Sequence, residues 1–220
     1  MTTLGQWRNI ALRALRAAFA NFVSATSEKG HYEVERKFSL DAGEVDALAE
    51  RIQQRGFAYV GTASMTDVFL PTPVDGEMMR VRKERIGDAP ARTFLTFKQW
   101  VKTASGKERK ETEREVALTV GALWKLVGRA IGGQPLLSFT KQRKLFNGRL
   151  GDAEAVISVD DVSGLGSFSG AYIEVEVLVP LDGDVVAFKD RIYQTVRELL
   201  GAERSEARSY MEMLKESRTQ

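Results

Sequence analysis

Segment after segment of this chain alternates charged and apolar side chains with period two. In His31-Tyr32-Glu33-Val34-Glu35-Arg36-Lys37-Phe38, read as a strand, Glu33, Glu35 and Lys37 share one face and Val34, Arg36 and Phe38 the other. For one strand the plain reading is a solvated face crossed by surface ion pairs, which stabilise little. Recurrence weighs against it. Met78 to Glu84 sets Arg80 and Arg82 against Met79 and Val81, and Thr93 to Trp100 sets Thr96 and Lys98 against Leu95 and Phe97. Arg109 to Leu118 aligns Glu111, Glu113 and Glu115, and Leu136 to Leu145 aligns Lys141 and Arg143. Ala155 to Val162 places Ser158 and Asp160 opposite Ile157 and Val159, and Ala171 to Val179 places Glu174 and Glu176 opposite Ile173, Val175 and Val177. Phe57 to Leu70 reads as a further strand, containing Asp67.

About eight strands joined mostly by short turns predict antiparallel pairing. Helices are expected between them. Asp41 with Glu44 three residues on opens one that ends at Gly56. Thr119 opens a second through Ile131, Asp184 a third that stops at Gly201, and a last helix runs from Glu203 to Glu216. A soluble barrel normally fills its interior with apolar side chains. Here helices can cover an apolar exterior, which leaves the charged face pointing inward. The expected fold is therefore α+β: an eight-stranded antiparallel β-barrel, or tunnel, with a charged interior and helices packed outside. A membrane barrel also turns apolar residues outward, but it needs a lipid-facing band and lacks such helices.

At 220 residues and 43% hydrophobic content the chain suits one domain with a sizeable core and leaves room for an appendage. The absence of cysteine removes disulfides and thiolate metal sites, and one histidine removes multi-histidine sites. Any metal must then be held by carboxylate oxygens, which favours Mg²⁺ or Mn²⁺. A net charge of +2 speaks against a nucleic-acid partner bound by bulk charge. No apolar run approaches the ~20 residues of a spanning helix. Residues 1–30 form a basic amphipathic extension and linker, followed by a domain over 31–216 and a short tail over 217–220. The extension contains no acid before Glu28 and carries Arg8, Arg13 and Arg16. Three readings of it stay open: a helix packed on the domain or a partner, a targeting segment of mitochondrial type, and peripheral membrane contact by residues 7–23. The location expected for the domain is cytoplasmic.

The inward face combines six cations (Lys37, Arg80, Arg82, Lys98, Lys141 and Arg143) with six carboxylates (Glu33, Glu35, Glu113, Asp160, Glu174 and Glu176). Self-pairing of a dozen buried charges makes an implausible structural core, because buried ion pairs barely offset their desolvation. A polyphosphate with a divalent metal resolves the arrangement. Cations clamp the phosphoryl oxygens, and carboxylates hold the metal. No Gly-x-x-x-x-Gly-Lys loop is present, so P-loop chemistry is excluded.

Glu33-Val34-Glu35-Arg36-Lys37 resembles the ExExK signature of the CYTH superfamily, the triphosphate tunnel metalloenzymes. The resemblance extends in order through Arg80-Val81-Arg82, Lys98, Glu113-Arg114-Glu115, Lys141-Gln142-Arg143, Asp160 before Gly164-Leu165-Gly166, and Glu174-Val175-Glu176. It implies that Glu33, Glu35, Glu174 and Glu176 bind metal, with Asp160 beside them. It implies that Lys37, Arg80, Arg82, Lys98, Lys141 and Arg143 bind phosphate, with Lys37, Glu113 and Arg143 as catalytic candidates. Arg208-Ser209-Tyr210 is similar to the family's closing-helix motif, and Asp67 follows a family pattern without an assigned role.

The resemblance implies a metal-dependent hydrolase of a triphosphate: thiamine triphosphate, tripolyphosphate or a nucleoside triphosphate. Met78 and Met79 stand where some thiamine triphosphatases carry a stacking aromatic, which weakens a thiamine-specific reading. The alternatives are a class IV adenylyl cyclase, in which the ATP 3′-oxygen attacks the α-phosphorus, and a non-catalytic polyphosphate-binding module. The sequence does not state an oligomeric state.

Overall fold

The computed structural model describes residues 31–41, 43–70, 72, 77–103, 106–116, 137–180, 183–201 and 204–219. The basic extension and the helix expected over Thr119 to Ile131 lie outside the described residues.

Nine strands form one antiparallel sheet: β1 (His31–Leu40), β2 (Ala58–Leu70), β3 (Met78–Ile86), β4 (Arg92–Thr103), β5 (Gly106–Val116), β6 (Leu137–Leu150), β7 (Ala153–Ser163), β8 (Gly170–Pro180) and β9 (Ser205–Glu206). Their order across the sheet is β5-β4-β3-β2-β6-β7-β8-β1-β9. Eight of them are the strands read from alternation. The ninth is a two-residue segment that pairs Glu206 with Lys37 and Ser205 with Phe38. The sheet curls until Cα atoms of β1 and β5 come within 8 Å of each other. No hydrogen-bonded ladder joins those two strands among the described residues.

Period-two alternation then sorts the side chains. Outward residues of β1, β6, β7 and β8, among them Val34, Phe38, Phe146, Ile157, Val159, Ile173 and Val175, form one apolar core. Two helices cover it: α1 (Val45–Gln54) through Leu48 and Ile52, and α2 (Val185–Leu200) through Phe188, Ile192, Val196 and Leu199. Each such side chain contributes about 1.5–3 kcal/mol on burial. Phe38 meets Tyr193 edge-on at 5.6 Å between centroids. On the outer face of β2, β3 and β4, Val68, Leu70, Met79, Val81, Leu95 and Phe97 are buried as well.

The helix ends follow from local chemistry. Asp184 caps α2 by accepting the Ala187 N–H at 3.0 Å, and Gly201 ends it in the left-handed region at φ 69°. The expected start of α1 is shifted. Glu44 accepts the Asp41 N–H at 2.8 Å, but the helix begins only at Val45 and Glu44 itself is the N-cap. The last helix differs more. It spans Tyr210–Ser217 (α3) rather than beginning at Glu203, because Ser205 and Glu206 are taken into the sheet and Ser209 supplies a full capping box with Glu212. Buried Met213 and Leu214 of α3 pack with inward-facing Phe69, Phe139, Val162 and Tyr172, so α3 stoppers one end of the tunnel. None of the helices among the described residues is long and apolar enough to cross a membrane.

Candidate active site

The inward face is both charged and buried. Lys37, Arg80, Arg82, Lys98, Lys141 and Arg143 are buried, as are Asp67, Asp160 and Glu174. Among the described residues that is six basic groups to three acidic, an excess of three positive charges (6 − 3) withdrawn from water. Each buried ion costs several kcal/mol in desolvation that pairing at best repays. The arrangement is therefore not explained by stability.

Two buried aspartates organise the cations. Asp67, on β2, stands opposite Arg82 in the β2–β3 ladder. Arg82 grips it side-on, with Nε to Oδ1 at 2.7 Å and Nη2 to Oδ2 at 2.9 Å, and Arg80 Nη1 lies 3.6 Å from the same Oδ2. Burial pushes the Asp67 carboxyl up, but the Arg82 and Arg80 guanidiniums outweigh it and hold the group well below the usual carboxylate range. Arg80 also donates to Thr96 Oγ1 through Nη2 at 3.0 Å. Asp160, on β7, stands opposite Arg143 of β6. Arg143 grips it through Nε and Nη2, each at 2.6 Å, while Lys141 Nζ at 3.1 Å and the Tyr210 hydroxyl at 2.9 Å donate to Oδ2. Burial raises the Asp160 carboxyl, and Arg143 and Lys141 reverse this to a net lowering.

Glu174 contacts Arg143 directly and lies 3.8 Å from Lys37 and 3.9 Å from Lys141. Burial, then the neighbouring Arg143 charge, pulls the Lys141 ammonium down to about 8 despite Asp160 and Glu174. The Lys37 ammonium donates to the Arg208 carbonyl at 2.9 Å and sits 3.7 Å from the Tyr210 ring centroid. Burial, with Asp160 and Glu174 nearby, pushes the Tyr210 phenol well above its ordinary value, so it stays a donor.

Glu33, Glu35 and Glu176 occupy the stretch of β1 and β8 on the far side of Lys37 and Glu174 from α3. Glu35 faces Glu176 directly across the ladder, as Lys37 faces Glu174. Lys98 reaches from β4 to the first two, 3.1 Å from Glu33 Oε1 and 3.8 Å from Glu35 Oε2. Carboxylates set directly opposite each other repel. An all-oxygen donor set of this kind fits a hard divalent cation that keeps several waters. No trio of acids gathers into a ready-made cage among the described residues. Glu113 stands opposite Thr96 in the β4–β5 ladder.

The structure thus brings Lys37, Lys141 and Arg143 together around Asp160 and Glu174, Arg80 and Arg82 together on Asp67, and Lys98 against Glu33 and Glu35, and it gives specific contacts to two residues that the sequence reading placed only in family patterns. Asp67 carries the Arg80–Arg82 pair, and Tyr210 joins Lys37 to Asp160. Arg208 is held by Glu206 at 2.6 Å and Glu216 at 3.2 Å, with its guanidinium 4.4 Å from the Phe168 ring.

A family model described as the CYTH domain matches residues 31–210. No curated protein matches the chain by sequence. Among solved structures, the PH1819 protein of Pyrococcus horikoshii is similar at 29% identity, over 84% of this chain and 99% of that one, with a TM-score of 0.66. A candidate adenylate cyclase from Vibrio parahaemolyticus shares the fold at 17% identity, over 85% of this chain and 99% of that one, with a TM-score of 0.59. HpAC1 from Hippeastrum, a candidate adenylyl cyclase described as having a dominant triphosphatase activity, does so at 16% identity, over 85% of this chain and 96% of that one, with a TM-score of 0.57.

Proposed function

The chain belongs to the CYTH family, and from that premise we propose that it is a divalent-metal-dependent hydrolase of a triphosphate substrate. The observation that carries this reading is the cluster of six buried cations on the inward face. A triphosphate brings about four negative charges and many acceptor oxygens, which neutralise such a cluster and satisfy its donors. The dominant triphosphatase activity described for HpAC1 is compatible with it, at an identity that carries only the fold.

In this reading Arg80, Arg82, Lys98, Lys141 and Arg143 bind the phosphate chain, and Lys37 lies at the phosphoryl group that is transferred. The side-on grip of Asp67 on Arg82 and of Asp160 on Arg143 fixes each guanidinium plane before substrate arrives. Glu33, Glu35 and Glu176 would hold the metal, with Glu174 shared between it and Lys37. Asp160, whose oxygens are taken by Arg143, Lys141 and Tyr210, serves as an anchor for the cations instead. Bound Mg²⁺ or Mn²⁺ would supply further neutralisation of the phosphate oxygens. Glu113 is assigned the positioning of the attacking water. Water attacks the terminal phosphorus in line and releases its proton to solvent, the bridging P–O bond breaks, and the clamp takes up the charge growing on the leaving phosphate chain.

The test offers the purified protein tripolyphosphate, thiamine triphosphate and ATP with Mg²⁺ or Mn²⁺, and assays phosphate and cyclic AMP separately. Phosphate without cyclic AMP is expected. Cyclic AMP with pyrophosphate would instead establish the cyclase, and tight binding without turnover a binding module. Lys37→Ala and Glu35→Ala are each expected to lower turnover by about 10²-fold or more with the fold intact. Near-wild-type rates in both would overturn the site.

A further inference from the structure

The first residue of α3 is a tyrosine whose side chain does more than pack. Tyr210 is 7% exposed and lies among Phe139, Tyr172 and Met213. Packing alone asks only for a ring. Yet the hydroxyl donates to Asp160 Oδ2 at 2.9 Å, and the ring face lies 3.7 Å from the Lys37 ammonium and 5.1 Å from that of Lys141. One side chain from the C-terminal helix therefore touches three members of the buried charge network. A fourth, Arg143, is reached through Asp160. The segment before α3 adds a further tie, since the Arg208 carbonyl accepts from Lys37.

We propose that Tyr210 is a positioning residue: its ring aims the Lys37 ammonium and its hydroxyl holds Asp160, and through it Arg143, so that the docking of α3 completes the phosphate clamp. This rests on the triphosphate reading of the site. The two jobs are chemically separable. A cation held against an aromatic face keeps its direction without losing its N–H donors, which stay available for phosphate oxygens. A hydroxyl donated to a carboxylate already gripped by an arginine fixes that carboxylate's second oxygen and hence the plane of the guanidinium. Tyr210→Phe keeps the first and removes the second, and Tyr210→Leu removes both.

The experiment measures tripolyphosphate binding by calorimetry in EDTA. In parallel, the Lys37 side chain is followed by NMR with ¹³Cε-lysine, its signal assigned by loss in Lys37→Arg. In the wild type the Lys37 signal should be displaced by the ring current of Tyr210. Tyr210→Phe should keep that displacement while weakening tripolyphosphate binding by about tenfold. Tyr210→Leu should return the Lys37 signal to the bulk lysine position and weaken binding further. Wild type that binds tripolyphosphate, alongside a Tyr210→Phe that binds it equally well and a Lys37 signal indifferent to Tyr210→Leu, would overturn the positioning role and leave the triphosphate reading standing. Wild type that binds no tripolyphosphate would overturn both. A melting temperature that falls in Tyr210→Phe with binding unchanged would reduce the bond to Asp160 to a purely structural one and overturn the positioning role.

Discussion

Asp67 shows what one side chain does for its surroundings. It is buried, accepts from Arg82 through both oxygens, and has Arg80 within 3.6 Å. Removing one partner from a buried ion pair leaves uncompensated charge. Asp67→Ala is therefore expected to cost about 3 kcal/mol in urea unfolding, far beyond a surface substitution. The pH dependence has a definite sign. The folded-state pKa of Asp67 lies below its unfolded value of about 3.9, so its contribution is complete above that pH and is lost as the pH falls below it toward the folded value. Asp160 is displaced in the same direction. Urea midpoints measured from pH 6 downward should hold level and then fall once the pH passes about 4, with a smaller fall in Asp67→Ala. None of this was visible at Asp67 in the sequence. Its partner lies 15 residues on, in the next strand, and only the register of β2 with β3 brings the two together. Lys37, Arg80, Arg82, Lys141 and Arg143 were legible because alternation alone decides which way a strand residue points.

At the scale of elements, the long strands and α2 announced themselves. Asp184 and Gly201 bracket a periodic apolar stripe, and most inward faces carried a pair of charges two residues apart. The errors lie where few residues carry the signal. Ser205-Glu206 is too short for any alternation, so the sequence read it as the start of the last helix, and only its pairing with Lys37 and Phe38 makes it β9. The true start at Ser209 is a capping box, in which Ser209 N–H donates to Glu212 Oε2 at 2.6 Å and Glu212 N–H to Ser209 Oγ at 3.3 Å. Because α3 carries Tyr210, its cap matters to the site as well as to the fold. Ser209→Ala should lower stability by about 1 kcal/mol. It should also raise KM for tripolyphosphate, whereas Asp184→Ala, which uncaps α2, should lower stability by a similar ~1 kcal/mol and leave KM unchanged. Thermal melts and steady-state kinetics on the two variants make the comparison.

Over the whole molecule, the net charge of +2 hides a separation of charge. Among the described residues basic groups dominate the buried interior, while Glu33, Glu35 and Glu176 lie together along β1 and β8. Such a tunnel focuses its field on an incoming polyanion, and added salt screens the approach more than the buried contacts. Raising NaCl from about 0.05 to 0.5 M should therefore slow the association of tripolyphosphate strongly and change its dissociation little, as stopped-flow binding would record. The curled sheet bears on this traffic. A cylinder whose strands are all laced by backbone hydrogen bonds has its girth set by strand number and stagger. Here β1 and β5 lie side by side with no ladder between them among the described residues, and the Lys98 contacts to Glu33 and Glu35 bridge β4 to β1 across that join. The wall is a ribbon overlapped on itself, more clasp than pipe. Letting it out by an ångström strains side-chain contacts that a polyanion competes for, and breaks no row of backbone bonds. In the triphosphate reading, the cargo would itself compete for the fastening that encloses it.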